Sequence, residues 1–143
     1  MADRTTSKSP TRGRLLLLFS HELLPEQESD ARASLGVREI VPLPPDLLRL
    51  WQDVPADSAD IADYLAPVID WLRQLARPGD LVLVQGDFGA TWLAVNKVVR
   101  LGAVAIYATT VRESHEAVTG DGSVVKSSRF RHVRFRRYET VED

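Results

Sequence analysis

"LVLVQGDFGATWLAVNKVVRLG", residues 81–102, is the stretch of this chain that decides its fold. Its unbroken apolar run, residues 81–84, favours a strand that is buried on both faces, as at the centre of a parallel sheet. A turn with two glycines follows, and the apolar residues after the turn recur at helical spacing. Strand, sharp turn and helix in this order form the repeating unit of parallel α/β sheets.

The same alternation extends along the chain in both directions. Upstream, the sequence predicts a strand at 15–19, a helix from Pro25 to a cap at Gly36, a short strand at 38–43 and helical segments at 44–55 and from 61 onward. Pro67 predicts either a kink in the last of these helices or a helix that begins at Pro67. Residues 103–107 form the fourth predicted strand. We therefore predict an α/β fold with a Rossmann-like parallel sheet flanked by helices.

The two ends of the chain follow other patterns. "TGDG", residues 119–122, predicts an antiparallel β-hairpin at the edge of the sheet. Phe130 and Phe135 have opposite parity in the second hairpin strand, which predicts a β-bulge between them. Residues 1–13 have no apolar periodicity, so we expect a disordered tail there and a single domain over residues 14–143.

The composition excludes several classes of function. The chain is 44% hydrophobic and 27% charged, and its net charge of −2 gives no overall bias toward nucleic acid or membrane. The absence of cysteine excludes disulfides, thiolate zinc sites and cysteine nucleophiles, and it favours a reducing compartment. The early apolar run at 15–19 is too short for a signal peptide or a membrane span. We expect a cytoplasmic protein without a metal or cofactor.

The turn after residue 84 is the first candidate site, because ligands of open α/β sheets bind at the carboxyl ends of the strands. Glycines there let the backbone approach a ligand, and the first amides of the helix can donate to an anion. The alternative is that Asp87 only caps the helix and the glycines serve a tight turn. The candidate ligand-binding residues of this turn are Gln85, Gly86, Phe88, Gly89, Ala90 and Thr91.

Two other strand ends carry reactive groups. Ser20 and His21 follow the first strand, whereas Thr109, Thr110 and Arg112 follow the fourth. A parallel sheet would bring these segments and the turn at 85–91 to one edge. Hydroxyls, an imidazole, helix-start amides and a guanidinium are suitable donors for a phosphodiester. The alternative for His21 is a turn histidine bonded to a nearby carbonyl.

The second hairpin strand is strongly basic. Six Lys and Arg residues lie between 126 and 137, interleaved with aromatic residues, a pattern that can follow a nucleic-acid backbone. Charged side chains also protect edge strands from unwanted pairing, and residues 53–70 carry five aspartates without a base. We favour a solvated edge or a dimer contact over linear nucleic acid. For His115 and His132 we predict surface or packing roles rather than metal ligation.

"LLLLFSHELLPEQ", "GDLVLVQGDFGATWLAVNK" and "FRHVRFRRY" resemble the small CRISPR-associated proteins of type III loci named as member twenty of the Csx series. The resemblance covers about residues 14–138. It implies a fold similar to the CARF domains, which bind cyclic oligoadenylate second messengers, and a ring nuclease that opens cyclic tetra-adenylate. The binding loops of that family would fall on residues 20–21, 85–91 and 109–112.

A metal-independent mechanism is compatible with these residues. A ribose 2′-hydroxyl can attack the adjacent phosphodiester in line, so the protein must mainly position the groups and stabilise charge. His21 is the candidate acid or base, Arg112 the candidate for charge stabilisation, and Asp87 an alternative base. The two-fold symmetry of a four-nucleotide ring suggests a homodimer. The alternatives are a sensor that binds the ring without cutting it and a nucleic-acid-binding module that uses the basic hairpin.

Overall fold

The structure, a computed structural model, describes residues 9–140. In chain order its elements are β1 (Arg14–Phe19), α1 (Pro25–Leu35), β2 (Glu39–Val41), α2 (Pro45–Gln52), α3 (Ala62–Leu75), β3 (Leu81–Gln85), α4 (Phe88–Arg100), β4 (Val104–Val118) and β5 (Val124–Arg137). Among these elements no helix is long and apolar enough to cross a membrane.

The strands form one sheet in the order β2-β1-β3-β4-β5. The β2–β1, β1–β3 and β3–β4 pairs are parallel, whereas β4 and β5 are antiparallel. This confirms the predicted α/β fold with a mostly parallel sheet and a C-terminal hairpin. The chain moves from β1 outward to β2 and then returns to the other side of β1, so the strand order reverses between β1 and β3.

Helices cover both faces of the sheet, which explains the unbroken apolar runs of β1 and β3. On one face, Leu15 and Leu83 pack with Ala31 of α1. On the other face, Val82 and Val84 pack with buried side chains of α2, α3 and α4. Each central strand therefore needs an apolar side chain at every position, because neither of its faces meets water.

The predicted helix boundaries are largely confirmed. Helix α1 begins at Pro25 and ends before Gly36, which has the left-handed φ of 67° that favours glycine. Pro67 lies inside α3 and does not begin that helix, so that alternative was wrong. The α3 residues Leu65, Val68 and Leu72 are buried against the sheet. The free energy gained by this burial offsets the loss of the backbone hydrogen bond that Pro67 cannot donate.

The antiparallel pair is longer than the sequence predicts. Strand β4 continues to Val118 instead of ending at 107, so residues 109–112 lie within a strand and not in a loop. The register shifts between Thr109 and Thr110 and leaves Val133 unpaired on β5, which confirms the predicted bulge. Residues 109–134 extend beyond the end of β3, and we call this segment the arm.

A buried ionic junction joins the starts of β1 and β3. Asp80 is fully buried, and its Oδ2 lies 2.8 Å from Arg14 Nη2. The Thr11 hydroxyl and the Arg77 amide also donate to this carboxylate. Thr11 is therefore part of the folded domain; of the expected tail, residues 1–8 lie outside the described residues. Burial alone would raise the pKa of Asp80, but the hydrogen bonds from Arg14, Thr11 and Arg77 hold it below its usual value.

The end of β3 is covered by α2. Trp51 is buried, and its indole Nε1 donates to the backbone carbonyl of Gln85 at 2.9 Å. A Cβ at Gly86 would lie 2.7 Å from Trp51 Nε1. The glycine at position 86 is therefore required by the indole that packs against it.

Replacing Asp80 with Asn should lower the free energy of unfolding by about 3 kcal/mol, because Arg14 then loses the carboxylate that balances its charge. Chemical denaturation at pH 7 measures this change. In the wild type, the contribution of Asp80 is complete above about pH 4 and is lost as the pH falls through the lowered pKa of the folded state. The free energy of unfolding of the Asp80→Asn variant should lack this dependence on acidic pH.

Asp46→Asn is the matched control for the junction. Asp46 pairs with Arg49 on the exposed surface of α2, and such a pair contributes at most about 1 kcal/mol. Equal losses of stability in the two variants would contradict the role of Asp80 as a buried junction.

Gly86→Ala should destabilise the protein by about 1–3 kcal/mol, because the added methyl group displaces the Trp51 indole or the backbone at the end of β3. Gly120→Ala is the control, since a Cβ at Gly120 meets no atom within 4 Å. Thermal denaturation of both variants measures the difference. A Gly86 variant as stable as the Gly120 variant would show that the indole contact imposes no constraint.

Candidate functional site

The three segments predicted to form the site leave the sheet at one edge. Strands β1, β3 and β4 are parallel, and Phe19 at the end of β1 lies beside Gln85 at the end of β3. The Ala108 amide donates to Gln85 Oε1 at 2.7 Å, which brings β4 to the same edge. The structure thus places residues 20–21, 85–91 and the start of the arm side by side.

Two backbone amides in the first turn of α4 are hydrogen-bonded to Asp87. Asp87 Oδ2 accepts from the Ala90 amide at 3.0 Å, and the Asp87 carbonyl accepts from the Thr91 amide at 2.8 Å. The prediction of Asp87 as a helix cap is confirmed, whereas the Ala90 amide is already engaged and does not serve a ligand. Within residues 9–140 the amides of Phe88 and Gly89 donate to no protein acceptor.

Gln85 and Gly86 have structural roles that differ from those predicted. The side-chain oxygen of Gln85 accepts from the Ala108 amide and its backbone oxygen accepts from the Trp51 indole, so both oxygens are engaged within the protein. Gly86 allows the close approach of Trp51 rather than that of a ligand. Both residues still line the cavity described next.

A cavity of about 270 Å³ lies between the ends of β3 and β4 and the start of α4. Thr91 lines this cavity, and its hydroxyl oxygen is buried without a hydrogen-bond partner among the described residues. Tyr138 donates to the Val84 carbonyl at 2.6 Å, and burial raises the pKa of its hydroxyl. The lining residues are Gln85, Gly86, Phe88, Thr91, Tyr107 and Tyr138.

The two tyrosines of this cavity were not among the residues predicted from the sequence. Their rings lie 4.7 Å apart, and Arg136 Nη1 donates to the Tyr107 hydroxyl at 3.1 Å. The Arg136 guanidinium also lies 5.6 Å from the centre of the Tyr107 ring. Tyr107 ends the predicted fourth strand, and this position was the one available signal. Arg136 is thus a guanidinium that the fold places beside the cavity.

Two large aromatic side chains are exposed on α4. Phe88 is 96% exposed and Trp92 is 69% exposed. Their spacing of four residues places them on one face of the helix, one turn apart. The sequence-based prediction for Phe88 concerned its backbone amide and did not include this exposed pair. The signal was available, because Ala90, Ala94 and Val98 already account for the buried side of α4.

His21 and Ser20 lie at the same edge. His21 is exposed, and its ring contacts that of Phe19 edge-on, with centroids 5.7 Å apart. The Ser20 carbonyl accepts from Gln52 Nε2 at 2.8 Å, which ties this turn to the end of α2. Among the described residues no hydrogen bond fixes the His21 imidazole, so the ring is accessible for proton transfer.

The structure separates Arg112 from the cavity. Side chains alternate along a strand, so Tyr107 and Thr109 share one face of β4, while Thr110 and Arg112 share the other. Thr110 pairs with His132, whose side chain faces α1, and Arg112 Nη2 donates to Ser128 Oγ at 3.1 Å. The prediction that Thr110 and Arg112 would join Thr91 is wrong, because it treated residues 109–112 as a loop. Thr109 lies on the cavity side.

His132 anchors the base of the arm. It is 8% exposed, and its Nε2 lies 2.7 Å from Asp30 Oδ2 of α1. A hydrogen bond from Ser34, followed by that from His132, lowers the pKa of Asp30. The predicted packing role of His132 is confirmed. Between residues 9 and 140, no group of three or more His, Cys, Asp or Glu side chains could hold a metal ion.

Comparison with known proteins identifies a family. The model of the family described as "Uncharacterized protein MJ1673 family" matches residues 13–136. The chain is 42% identical over 125 residues to the uncharacterized protein MJ1673 of Methanocaldococcus jannaschii, an alignment that covers 87% of this chain and 96% of that protein. No solved structure matches. Since the match spans almost the whole folded domain, the chain belongs to the MJ1673 family.

Proposed function

We propose that this protein has a Rossmann-like, CARF-like fold that binds a cyclic oligoadenylate, such as cyclic tetra-adenylate, at the carboxyl edge of its sheet and opens the ring. The observation that carries the proposal is Thr91, which lines a cavity beside open helix-start amides and whose buried hydroxyl has no partner among the described residues. An unsatisfied buried hydroxyl costs about 1–3 kcal/mol, and a ligand oxygen would remove that cost.

The donors of this edge suit a phosphate group. The amides of Phe88 and Gly89 and the hydroxyl of Thr91 lie in the first turn of α4, where the helix dipole favours negative charge. Arg136 lies beside the cavity through its contact with Tyr107. A phosphodiester oxygen at this position would gain several hydrogen bonds and a nearby positive charge.

The exposed aromatic pair suits a base. Adenine has a large π-face, and stacking on an aromatic side chain contributes about 1–3 kcal/mol per base. Phe88 is 96% exposed directly beside the two open amides. A nucleotide whose phosphate binds the helix start can therefore place its base on this ring. A donor group beside an exposed aromatic side chain suits a nucleotide unit of an oligoadenylate ring, in which each phosphate lies next to a base.

A ring cleavage at this site would use the ligand's own nucleophile. The 2′-oxygen attacks the adjacent phosphorus, the bond from phosphorus to the 5′-oxygen breaks, and a 2′,3′-cyclic phosphate and a free 5′-hydroxyl form. The 2′-hydroxyl loses a proton, and the departing 5′-oxygen gains one. His21 is the exposed imidazole at this edge and takes the acid–base role, while Asp87 remains the cap. Arg136 replaces Arg112 as the charge-stabilising candidate.

Linear nucleic acid is the less favoured ligand. Two of the arginines that suggested it are paired inside the arm, because Glu113 lies 2.6 Å from Arg131 and 3.6 Å from Arg129. These pairs reduce the positive charge available to a phosphate backbone. A closed ring that binds at the edge of the sheet uses the cavity instead of the arm.

Thr91→Val should weaken the binding of cyclic tetra-adenylate by at least about tenfold, because it removes the hydroxyl with little change in shape. Calorimetric titration measures the affinity. Thr110→Val is the matched control, since Thr110 lies on the other face of β4, and it should bind like the wild type. Equal losses in the two variants would refute the cavity as the binding site.

His21→Ala should slow ring opening by about 10²–10⁴-fold while the affinity for the ring changes little. Chromatographic separation of linear and cyclic products, in buffer with EDTA, measures the rate. If the wild-type protein binds the ring and leaves it intact at excess enzyme, the protein is a sensor and not a nuclease. If cleavage occurs in both proteins at one rate, His21 is not the acid or base.

A further inference from the structure

We propose that the groove between α3 and α4 binds a small aromatic anion, a carboxylate or sulfonate whose ring system packs on Trp92 while its charged group meets Lys97 and Arg100. The groove runs along the sides of the two helices and shares no lining residue with the cavity at the end of β3. The inference therefore does not depend on the proposed ring site. The shape of the groove, its exposed indole and its charges support it.

The groove has the size of a small-molecule site. Its volume is about 550 Å³, within the range of roughly 300–1,000 Å³ that is usual for ligand pockets. Two small side chains, Ala62 and Ala66, line it from α3. They lie one helical turn apart and are exposed, whereas a separate stripe of α3, formed by Leu65, Val68 and Leu72, packs on the sheet. The alanines thus leave open a space between the helices that the core does not fill.

Trp92 gives the groove an aromatic wall. Its side chain is 69% exposed, because the buried side of α4 consists of other residues. Ile69 from α3 and Leu93 from α4 also line the groove, and both are only partly buried. Aromatic rings pack favourably against one another when they stack with an offset or meet edge to face. A flat aromatic body in the groove would therefore remove this indole and its apolar neighbours from water.

One end of the groove is positively charged. Lys97 and Arg100 lie three residues apart in the last turn of α4, so both line the same end. Within residues 9–140 neither cation forms an ion pair with a carboxylate. The helix dipole favours cations in this turn but does not require that they line a groove. A carboxylate or sulfonate placed there would gain charge-assisted hydrogen bonds from both side chains.

Asp70 is the one carboxylate among the residues that line the groove. Its Oδ1 lies 3.4 Å from Arg73 Nη2 on the next turn of α3, so its negative charge is partly balanced. The groove therefore combines two cations with one paired carboxylate. This balance favours an anion over a cation or a neutral molecule of the same shape.

Two fluorescent probes separate the aromatic contribution from that of the charge. Anilinonaphthalene sulfonate has an aromatic body and one sulfonate, and N-phenylnaphthylamine has the same body without the sulfonate. Both become fluorescent in apolar surroundings, so titration of the full chain measures each Kd. The wild type should bind the sulfonate with a Kd below about 100 µM and at least about tenfold more tightly than the neutral probe.

Variants of the groove should change the two affinities differently. Lys97→Gln combined with Arg100→Gln should raise the Kd of the sulfonate at least about tenfold and leave that of the neutral probe within about twofold. Trp92→Ala should raise the Kd of both probes at least about fivefold, because both lose the aromatic contact. Circular dichroism verifies that each variant is folded.

Two further variants leave the groove unchanged and serve as controls. Lys126→Gln with Arg129→Gln removes charge from the arm, which is also basic and partly apolar, and Thr91→Val changes the cavity at the end of β3. Both should bind the sulfonate like the wild type, and a loss in either as large as that of the groove variant would overturn the proposal. So would wild-type protein without saturable binding up to about 100 µM, or a neutral probe bound as tightly as the sulfonate. Sulfonate binding that falls as the protein concentration rises would also overturn it, since another chain would then cover the groove.

Discussion

Gln85, the last residue of β3, connects three parts of the molecule. Its backbone carbonyl accepts the Trp51 indole N–H, and its side-chain carbonyl accepts the Ala108 amide. The first bond holds α2 across the end of the sheet, and the second continues the β3–β4 pairing beyond Leu83 and Ile106. Each bond contributes only about 1 kcal/mol net to stability, but together they fix where α4 begins and where the arm leaves the sheet.

The position of α4 then determines the chemistry of the edge. Asp87 satisfies one helix-start amide, a contact that contributes about 1 kcal/mol, and leaves the amides of Phe88 and Gly89 open. The same turn buries the Thr91 hydroxyl next to a cavity without supplying an acceptor for it. The first amides of any α-helix lack an intrahelical acceptor, so the open amides of Phe88 and Gly89, which are exposed, are ordinary for a helix start. The buried Thr91 hydroxyl is the less usual feature, because no described residue satisfies it.

The sequence was sufficient to predict the layers of the fold and the edge of the sheet at which three strands end together. Residues 81–84 are apolar at every position because both faces of their strand are covered. Gly36 ends α1 because its backbone has the left-handed conformation, which glycine adopts without strain. The turn at 119–122 predicted the hairpin, but not that its first strand continues the strand at 103–107, because an arm exposed on both faces has no apolar alternation. For that reason Arg112 was placed beside Thr91, whereas strand parity places it on the opposite face. Tyr138 meets Val84 across 54 residues, and no local pattern indicates such a contact.

Electrostatics also constrains the proposed ring site. A four-phosphate ring carries four negative charges, and the start of α4 is flanked by an acidic segment, residues 53–63, in which Ile61 lies close to Gly89. The exposed aspartates of this segment would oppose the binding of phosphates, whereas Arg136, which contacts Tyr107 beside the cavity, would favour it. The proposed site therefore depends on hydrogen bonds from Thr91 and the open amides of α4 more than on the net charge of this edge.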